Sequence, residues 1–207
     1  MSWPSRRRPN QQAKCNSPMR PAADPHPKLI LITGVMAAGK SAVAQAVAER
    51  LPQSVHLRGD VFRRMIINGQ AAMSPTPTQA ARSQLLLRYR LAADAASSYL
   101  RAGFSVVYQD IILGEDLALV ISSLHPWPVH LVVLCPDSEV VAARAEARGK
   151  AGYGSFSVAE LDAVLRQCTP RLGLWLDTSD LSITQTAAAV LERLDEARIH
   201  AAGTPPA

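Results

Sequence analysis

The stretch Gly34-Val-Met-Ala-Ala-Gly39-Lys40-Ser41 decides the fold of this chain. It fits the pattern G-x-x-x-x-G-K-[S/T], in which the backbone N–H groups of a glycine-rich loop surround a phosphate group. The apolar run at residues 29–33 predicts a buried strand before the loop, and residues 41–51 predict an amphipathic helix after it. Strand, loop and helix in this order are the context in which the pattern forms a phosphate-binding loop.

The loop predicts a site for a nucleoside triphosphate with Mg²⁺. Lys40 is expected to reach the β- and γ-phosphates, and the hydroxyl of Ser41 is expected to hold Mg²⁺. The N-terminus of the following helix adds the positive end of its dipole. Backbone contacts to the phosphates are expected from Gly34, Val35, Met36, Ala37, Ala38 and Gly39. Kinases, ATPases and GTPases all use such a loop, so the reaction has to be inferred from other residues.

The positive charge of the chain is concentrated at its N-terminus. The net charge is +5 over 207 residues, and residues 1–28 hold six basic residues against Asp24 alone. Residues 29–207 hold 16 basic and 16 acidic residues, which argues against nucleic-acid binding by the folded part. Because residues 1–27 are rich in proline and polar residues, they predict a disordered basic tail. We expect one domain at residues 28–200 and a disordered end at residues 201–207.

The cysteines and the apolar segments indicate a cytoplasmic protein. Cys15, Cys135 and Cys168 share neither a metal-ligand spacing nor a disulfide spacing. No apolar run reaches transmembrane length, and no apolar segment follows the N-terminal arginines as a signal peptide requires. We therefore expect no membrane partner. The sequence leaves the oligomeric state open.

Strand and helix patterns alternate from Lys28 onward. Strands are expected at residues 29–33, 54–57, 105–109, 129–135 and 175–177. Helices are expected at residues 41–51, 61–67, 79–101, 115–124 and 138–148, after Ser157, and from Ser182 to about residue 199. This alternation predicts an α/β fold with three layers, a P-loop kinase fold built on a five-stranded parallel sheet. Residues 149–154 contain three glycines and predict a lid segment.

Two aspartates follow predicted strands and so lie at the edge of the sheet where ligands bind. A carboxylate at Asp60 suits a base that orients an acceptor hydroxyl and takes its proton during phosphoryl transfer. Capping of the following helix explains the same position equally simply. Asp110 ends an apolar strand, as in a Walker B element whose aspartate holds Mg²⁺. A contact to the acceptor, or a solvated strand end, would also explain Asp110.

Arginines form two further groups. Arg144 and Arg148 lie four residues apart on one helical face before the glycine-rich segment, where a lid would bring them to a transferring phosphoryl group. A solvated helix with Glu139 and Glu146 is the alternative, and Lys150 belongs to the same segment. For Arg82, Arg88 and Arg90 on the long helix, the expectation is a solvated face.

These motifs together resemble those of the chloramphenicol phosphotransferase-like P-loop kinases, which are related to the zeta toxins and the adenylylsulfate kinases. The resemblance covers residues 28–199 and rests on Ala38-Gly39-Lys40-Ser41, Gly59-Asp60, Gly103-Phe-Ser-Val-Val-Tyr-Gln-Asp110 and Arg144-Ala-Glu-Ala-Arg148-Gly149. It implies transfer of the γ-phosphoryl group of ATP to a hydroxyl of a small molecule, with Asp60 as the base. The acceptor itself, antibiotic-like, nucleoside or sugar, would sit near residues 66–80 and 112–128.

Two other classes of protein fit the phosphate loop. A P-loop ATPase or nucleotide-binding switch transfers to water, but the sequence shows no clear water-positioning residue and no N-K-x-D motif. An enzyme that phosphorylates nucleic-acid ends needs a basic folded surface, which residues 29–207 do not provide. The sequence therefore favours a small-molecule kinase.

Overall fold

The computed structural model describes residues 26–147 and 156–199. Within these ranges five parallel strands form one sheet, and the predicted five-stranded parallel α/β fold is confirmed. The strands, in the spatial order β2-β3-β1-β4-β5, are β1 (Leu29–Gly34), β2 (Ser54–Arg58), β3 (Ser105–Gln109), β4 (Val129–Leu134) and β5 (Leu174–Leu176). The helices are α1 (Lys40–Ala48), α2 (Asp60–Arg64), α3 (Gln79–Arg101), α4 (Asp116–Ser123), α5 (Ser138–Ala147), α6 (Val158–Ala163) and α7 (Ile183–Glu192).

The core is the centre of the sheet. Every residue of β1 and β3 is buried, and β4 is buried except at His130, which is half-buried. Such continuous apolar strands are typical of parallel sheets that helices cover on both faces. Helix α1 packs against α7, whereas α3 packs against α2 and α4. The sheet is thus a rigid platform whose carboxyl edge carries the loops described below.

Side-chain caps fix where three of the helices begin, as the sequence predicts. Thr78 accepts a hydrogen bond from the backbone N–H of Ala81 at 3.2 Å and starts α3. Ser157 and Ser182 each form a capping box and start α6 and α7. Each cap satisfies a backbone N–H group that has no partner inside the helix. The start of α3 matters most, because this helix carries two arginines of the candidate site.

The prediction that the last helix reaches residue 199 is wrong. Helix α7 ends at Glu192, and the chain then returns to the sheet, where Ile199 N–H donates to Val129 O at 2.8 Å and Leu131 N–H donates to Ala197 O at 2.7 Å. Strand β5 pairs only with residues 132–134 of β4. The first half of β4 would otherwise leave unpaired backbone groups at the sheet edge, so the C-terminal segment covers them.

Several predictions fall on residues without description. The tail at residues 1–25, the lid segment with Arg148 and Lys150, and residues 200–207 lie outside the described ranges. Helix α6 continues into a π-helix, Val164–Cys168, which no sequence pattern predicts. In residues 26–147 and 156–199, no helix has both the length and the apolar character needed to cross a bilayer.

Candidate active site

The loop between β1 and α1 has the backbone of an anion-binding site. Gly34, Ala37 and Gly39 have φ values of +144°, +62° and +95°. Residues that alternate between right- and left-handed conformations turn successive N–H groups into one concave surface. A Cβ atom at Gly34 would lie 2.5 Å from the carbonyl oxygen of Leu134, so this position requires glycine. Ala37 adopts the left-handed conformation without being glycine, a strain of about 1–2 kcal/mol that is common at functional sites.

Lys40 lies over this loop. Its side chain is 8% exposed, and Nζ donates a hydrogen bond to Val35 O at 2.6 Å. The ammonium group is therefore held beside the N–H groups that would bind phosphate. Ser41 is exposed in the first turn of α1, and that turn contains no acidic residue to neutralise the helix dipole. The local geometry of the loop agrees with phosphate binding, and the role of each residue stays a prediction.

Asp60 begins α2 directly after β2, and one of its carboxylate oxygens has hydrogen-bonding capacity to spare. Oδ2 accepts from Arg64 Nη2 at 2.6 Å. Oδ1 is buried and has no hydrogen-bond partner among the described residues, while Arg58 Nε lies 3.7 Å from it. The two arginines orient the carboxylate, whose side chain as a whole is 37% exposed. The assignment of Asp60 as the base stays a prediction.

Gly59 brings Asp60 close to Asp110. The N–H of Gly59 donates to Gln109 O at 3.1 Å, so the ends of β2 and β3 are joined at this point. A Cβ at Gly59 would collide with the Asp110 carboxylate and would lie 3.1 Å from the Tyr108 ring. Only glycine allows the two strand ends to approach this closely. Asp60 and Asp110 thus follow neighbouring strands at the same edge of the sheet.

Asp110 forms a buried ion pair with Arg88. Arg88 Nε donates to Oδ2 at 2.7 Å and Nη2 donates to Oδ1, with side-chain exposures of 3% and 2%. The N–H of Ile111 also donates to Oδ1, at 2.7 Å. Tyr108 Oη lies 3.5 Å from Oδ2, and burial raises the pKa of Tyr108, so its hydroxyl stays a donor. The expectation of a solvated face for Arg88 is wrong.

The residues present fit Mg²⁺ at Ser41 better than at Asp110. The Ser41 hydroxyl is exposed, and Mg²⁺ commonly takes few protein ligands beside phosphate oxygens and water. Both carboxylate oxygens of Asp110 already accept from Arg88, so a cation there would have to share them. Among the described residues no group of three or more His, Cys, Asp and Glu side chains is placed to hold a metal. Metal binding by Ser41 and Asp110 remains a prediction.

Arg144 contacts the loop after β5. Its Nη2 donates to Thr178 O at 3.2 Å and to Ser179 O at 3.4 Å, and its side chain is half-buried. The Ser179 hydroxyl and N–H both bind Asp177, which keeps that loop compact and lowers the pKa of Asp177. The structure thus gives Arg144 backbone partners that the sequence did not suggest. A catalytic role for Arg144 and for Arg148, which lies outside the described residues, stays a prediction.

His56 lies on β2, four residues before Asp60. Its Nδ1 is 2.9 Å from Gln45 Oε1, and its Nε2 is buried without a hydrogen-bond partner among the described residues. Burial is the main cause that lowers the pKa of His56; the charge of Arg58 lowers it further, and Asp60 opposes the shift. The imidazole is consequently neutral at pH 7. A neutral, half-buried ring that contacts Gln45 is consistent with a structural role for His56.

A cavity of about 530 Å³ opens beyond the end of β3. Four segments form its walls, namely residues 73–77, α3, residues 111–116 and residues 156–168. Its lining residues are Met73, Ser74, Pro75, Pro77, Arg82, Leu85, Arg88, Tyr89, Ile111, Leu113, Gly114, Glu115, Asp116, Phe156, Leu161, Val164 and Cys168. The cavity combines parts of the two ranges in which the sequence suggests an acceptor, residues 66–80 and 112–128.

A second ion pair lies in the wall of this cavity. Arg82 Nη1 and Nη2 donate to the two carboxylate oxygens of Asp116 at 2.7 and 2.5 Å, joining the start of α3 to the start of α4. Hydrogen bonding to Asp116 raises the pKa of Arg82.

For Arg90 the expected exposure is confirmed, but Arg82 is half-buried and Arg88 is buried. Helical spacing could have identified Arg88 as buried, because it lies four residues before Ala92 and eight before Ala96 on the buried face of α3.

Comparison with known proteins identifies the family and the fold. Residues 29–171 match the family model AAA_33, described as AAA domain. A UPF0200 protein of Aeropyrum pernix is 27% identical over 143 residues, which are 67% of this chain and 74% of that protein.

Solved structures share the fold at low sequence identity. A sugar kinase from Janibacter sp. HTCC2649 has a TM-score of 0.60 at 20% identity, covering 83% of this chain and 96% of that one. The APS kinase of Mycobacterium tuberculosis, in complex with AMPPNP and APS, has a TM-score of 0.58 at 22% identity, covering 83% and 99%. The tunicamycin resistance protein of Deinococcus radiodurans has a TM-score of 0.61 at 18% identity, covering 87% and 99%. The predicted P-loop kinase fold is confirmed.

Proposed function

The chain belongs to the AAA domain family, and we propose that it is an ATP-dependent kinase that transfers the γ-phosphoryl group to a hydroxyl of a small molecule. The relative position of two sites carries the proposal. The phosphate loop follows β1, and the loop that lines the 530 Å³ cavity follows β3. Strands β1 and β3 are paired neighbours, so their ends are separated by about 5 Å in the sheet. A nucleotide and a second ligand would therefore meet at one edge.

The kinases among the similar structures support this function. The sugar kinase and the APS kinase share the fold over 83% of this chain, and the APS kinase structure contains AMPPNP, an ATP analogue. Catalysis of phosphoryl transfer depends mostly on positioning and on electrostatic stabilisation. A rigid sheet edge that carries both a phosphate loop and a cavity is suited to that task.

In the proposed mechanism the loop and Lys40 bind the β- and γ-phosphates. The N–H groups around Ala37 and Gly39 donate to phosphate oxygens, and Nζ exchanges Val35 O for a phosphate oxygen. Mg²⁺, with Ser41 as its protein ligand, would neutralise charge on the β- and γ-phosphates. ATP and Mg²⁺ are thus the cofactors of the proposed reaction.

Asp60 is proposed as the general base. Its carboxylate, which is 37% exposed, would accept the hydrogen bond of the acceptor hydroxyl and then the proton, as the acceptor oxygen bonds to the γ-phosphorus and the bond to the β-phosphate oxygen breaks. ADP is the leaving group. Arg58 and Arg64 hold the carboxylate in place. Arg88 would hold the carboxylate of Asp110 in place, and Asp110 would in turn pack against Gly59 and Tyr108 beside the site.

Arg144 and Arg148 are proposed to supply positive charge to the transferring group. Arg144 anchors α5 to the loop after β5 through Thr178 and Ser179. Arg148 follows Arg144 by four residues in the sequence and is proposed as the second cation. Such a cation stabilises the charge that develops on the phosphoryl oxygens in the transition state.

The proposal places the enzyme in the cytoplasm and requires neither nucleic acid nor a membrane. The location in a reducing compartment is inferred from the spacing of the three cysteines in the sequence, which suits neither a disulfide nor a metal site. Deletion of residues 1–27 tests the independence from nucleic acid, because the net charge of the remaining chain is close to zero. The shortened protein should keep its kinase activity.

Acceptor-dependent formation of ADP tests the proposed function. We expect ADP to form slowly with Mg·ATP alone and much faster when a mixture of alcohols, nucleosides, sugars and hydroxylated antibiotics is added. Asp60→Asn should lose the stimulated rate and retain nucleotide binding. An equal rate with and without the mixture, unchanged in Asp60→Asn, would instead identify an ATPase or a nucleotide-binding switch.

A further inference from the structure

We infer that Arg88 and Asp110 form a positioning pair that fixes the place of Asp60, and that Asp110 is not a ligand of Mg²⁺. In a Walker B element the aspartate at the end of the strand would hold the metal, which is the role that the sequence predicts for Asp110. The inference rests on the proposed function in one respect only, namely the role of Asp60 as the base.

Donors from the described residues occupy the acceptor sites of the Asp110 carboxylate. A carboxylate has about four lone-pair directions in which it can accept a hydrogen bond. Arg88 Nε donates to Oδ2 at 2.7 Å, and Arg88 Nη2 donates to Oδ1. The N–H of Ile111 donates to Oδ1 at 2.7 Å, and Tyr108 Oη donates to Oδ2 in a long hydrogen bond of 3.5 Å. A metal ion would have to displace one of these donors.

Burial also separates Asp110 from a hydrated metal ion. The side chains of Arg88 and Asp110 are 3% and 2% exposed. Mg²⁺ loses its water molecules reluctantly and usually keeps several of them when it binds to a protein. A carboxylate with so little exposed surface could reach such an ion only after Arg88 had moved away. Ser41 differs in this respect, because it is exposed in the first turn of α1.

Stability alone does not require charges at these two positions. Taking two charges out of water is costly, and apolar side chains of similar volume in place of a buried ion pair are often as stable or more stable. An ion pair supplies orientation, because the planar guanidinium of Arg88 holds the plane of the Asp110 carboxylate through two hydrogen bonds. The role of the pair is therefore to be found in what the oriented carboxylate touches.

The carboxylate of Asp110 packs against Gly59, the residue before Asp60. A Cβ atom at Gly59 would collide with this carboxylate. Gly59 has φ −62° and ψ −33°, a conformation that any residue adopts readily. The backbone itself thus does not require glycine here, whereas the close approach of Asp110 does. The N–H of Gly59 also donates to Gln109 O at 3.1 Å, so the end of β2 is held by two contacts from β3 and the residue after it.

The position of Gly59 determines where the proposed base lies. Asp60 is the next residue and the first residue of α2, so a shift of Gly59 moves its backbone directly. Arg58 and Arg64 orient the carboxylate of Asp60 but belong to the same chain segment and would move with it. A misplacement of a reacting group by about 1 Å can lower the rate by a factor of about 10². Arg88 and Asp110 should therefore affect catalysis through Asp60.

Binding of Mn²⁺ in place of Mg²⁺, measured by electron paramagnetic resonance, tests the part that concerns the metal. The full chain is saturated with AMPPNP. Asp110→Asn should leave the Kd for Mn²⁺ within about twofold of the wild type, whereas Ser41→Ala should raise it at least about tenfold. Asp94→Asn, at an exposed position of α3, is the matched control for loss of a carboxylate. A Kd that rises as much in Asp110→Asn as in Ser41→Ala would overturn the inference.

Substitution of Gly59 tests the packing contact without an activity assay. Gly59→Ala should lower the melting temperature by about 3 °C or more, because the added methyl group collides with Asp110. The same substitution in a chain that carries Arg88→Met and Asp110→Ala should lower it by less than about 1 °C, since the carboxylate is absent. Retained AMPPNP binding shows that each protein is folded. Equal decreases in the two chains would show that Asp110 does not hold Gly59.

Kinetics distinguish a positioning role from a merely structural one. ADP formation is measured with Mg·ATP and the mixture of alcohols, nucleosides, sugars and hydroxylated antibiotics. Arg88→Met combined with Asp110→Leu should lower kcat at least about tenfold and leave the KM for ATP unchanged. In the Asp60→Asn chain the same two substitutions should lower kcat less than about twofold, because the group that they position is already lost.

The two backgrounds also separate failure of this inference from failure of the proposed function. Equal factors in the wild-type and Asp60→Asn chains would overturn the positioning role of Arg88 and Asp110. A wild-type kcat in Asp60→Asn itself would instead refute the proposed base. The Mn²⁺ and Gly59 measurements would then still decide whether Asp110 binds the metal or holds the end of β2.

Discussion

The loop after β1 and the cavity beyond β3 occupy neighbouring places on one sheet edge, but they are formed from the sequence in opposite ways. The loop is eight consecutive residues, and its key contact joins Lys40 to Val35, five residues away. The cavity draws on four separate segments, and its key contacts join Arg88 to Asp110 across 22 residues and Arg82 to Asp116 across 34. The loop is thus specified by a contiguous motif, whereas the cavity depends on how distant segments of the chain pack together.

The largest effect should follow from removing the ammonium group of Lys40. Lys40→Ala should reduce phosphoryl transfer to the background rate, because the side chain that contacts the phosphates is lost, while the fold is retained. Transfer is measured with radiolabelled ATP, and folding is checked by circular dichroism. Arg50→Ala is the control, since Arg50 is an exposed basic residue that follows α1. Turnover of Lys40→Ala at the wild-type rate would refute the phosphate-binding role of the loop.

The next effect concerns Asp60, which follows β2 at the same edge of the sheet. Asp60→Asn should lower kcat by roughly 10²–10⁴-fold, the usual contribution of a general base, and should leave the Kd for AMPPNP unchanged. Single-turnover kinetics and calorimetry measure the two quantities. Asp94→Asn serves as the matched control, because that aspartate is exposed on α3. Loss of AMPPNP binding in Asp60→Asn would assign this residue to the nucleotide or metal site instead.

The two ion pairs of the cavity should differ in their contribution to stability. Arg88→Met leaves Asp110 buried without its partner and should lower the free energy of unfolding by about 3–5 kcal/mol. Arg82→Met affects a pair in which the arginine side chain is 33% exposed and the Asp116 side chain 12% exposed, so it should cost less than Arg88→Met. Urea denaturation compares them.

A double variant separates the charge from the packing at Arg88. Arg88→Met combined with Asp110→Leu removes both charges and should recover most of the stability that the single variant loses. Equal losses in Arg88→Met and Arg82→Met would mean that burial of the pair does not govern stability here.

The smallest effect concerns how His56, on β2, makes the stability of the protein depend on pH. Because burial and Arg58 lower the pKa of His56 below its ordinary value of 6.5, the unfolded chain binds more protons than the folded one as the pH falls. The stabilisation is complete above pH 6.5 and decreases as the pH falls toward the folded pKa. The melting temperature of His56→Gln should thus fall less between about pH 7.5 and pH 5.5 than that of the wild type. Parallel decreases in both proteins would exclude this contribution.

The regions also differ in how well sequence predicts them. The five strands, the parallel sheet and the caps at Thr78, Ser157 and Ser182 were predictable, because apolar periodicity and hydrogen bonds within four residues determine them. The glycine pattern of the loop is equally local, although it does not reveal the left-handed conformation of Ala37.

Long-range pairing explains what the sequence does not show. Arg88 carries a charge on an otherwise small and apolar helix face, and only the fold brings Asp110 to it. The end of α7 was misplaced for a similar reason, because residues 193–199 are recruited by an uncovered edge of β4. The sequence suggested the region of the acceptor but not the cavity, whose walls come from segments up to about 95 residues apart in the chain.

Mass spectrometry of a mixed acceptor panel incubated with Mg·ATP tests the central claim most directly. The panel contains antibiotics with free hydroxyls, nucleosides, nucleotide sugars, polyols and aryl alcohols, and Asp60→Asn is measured beside the wild type. The proposed function predicts that an alcohol in the panel gains one phosphoryl group with the wild type and not with Asp60→Asn. ATP consumed at equal rates by both proteins, with no phosphorylated product, would contradict it.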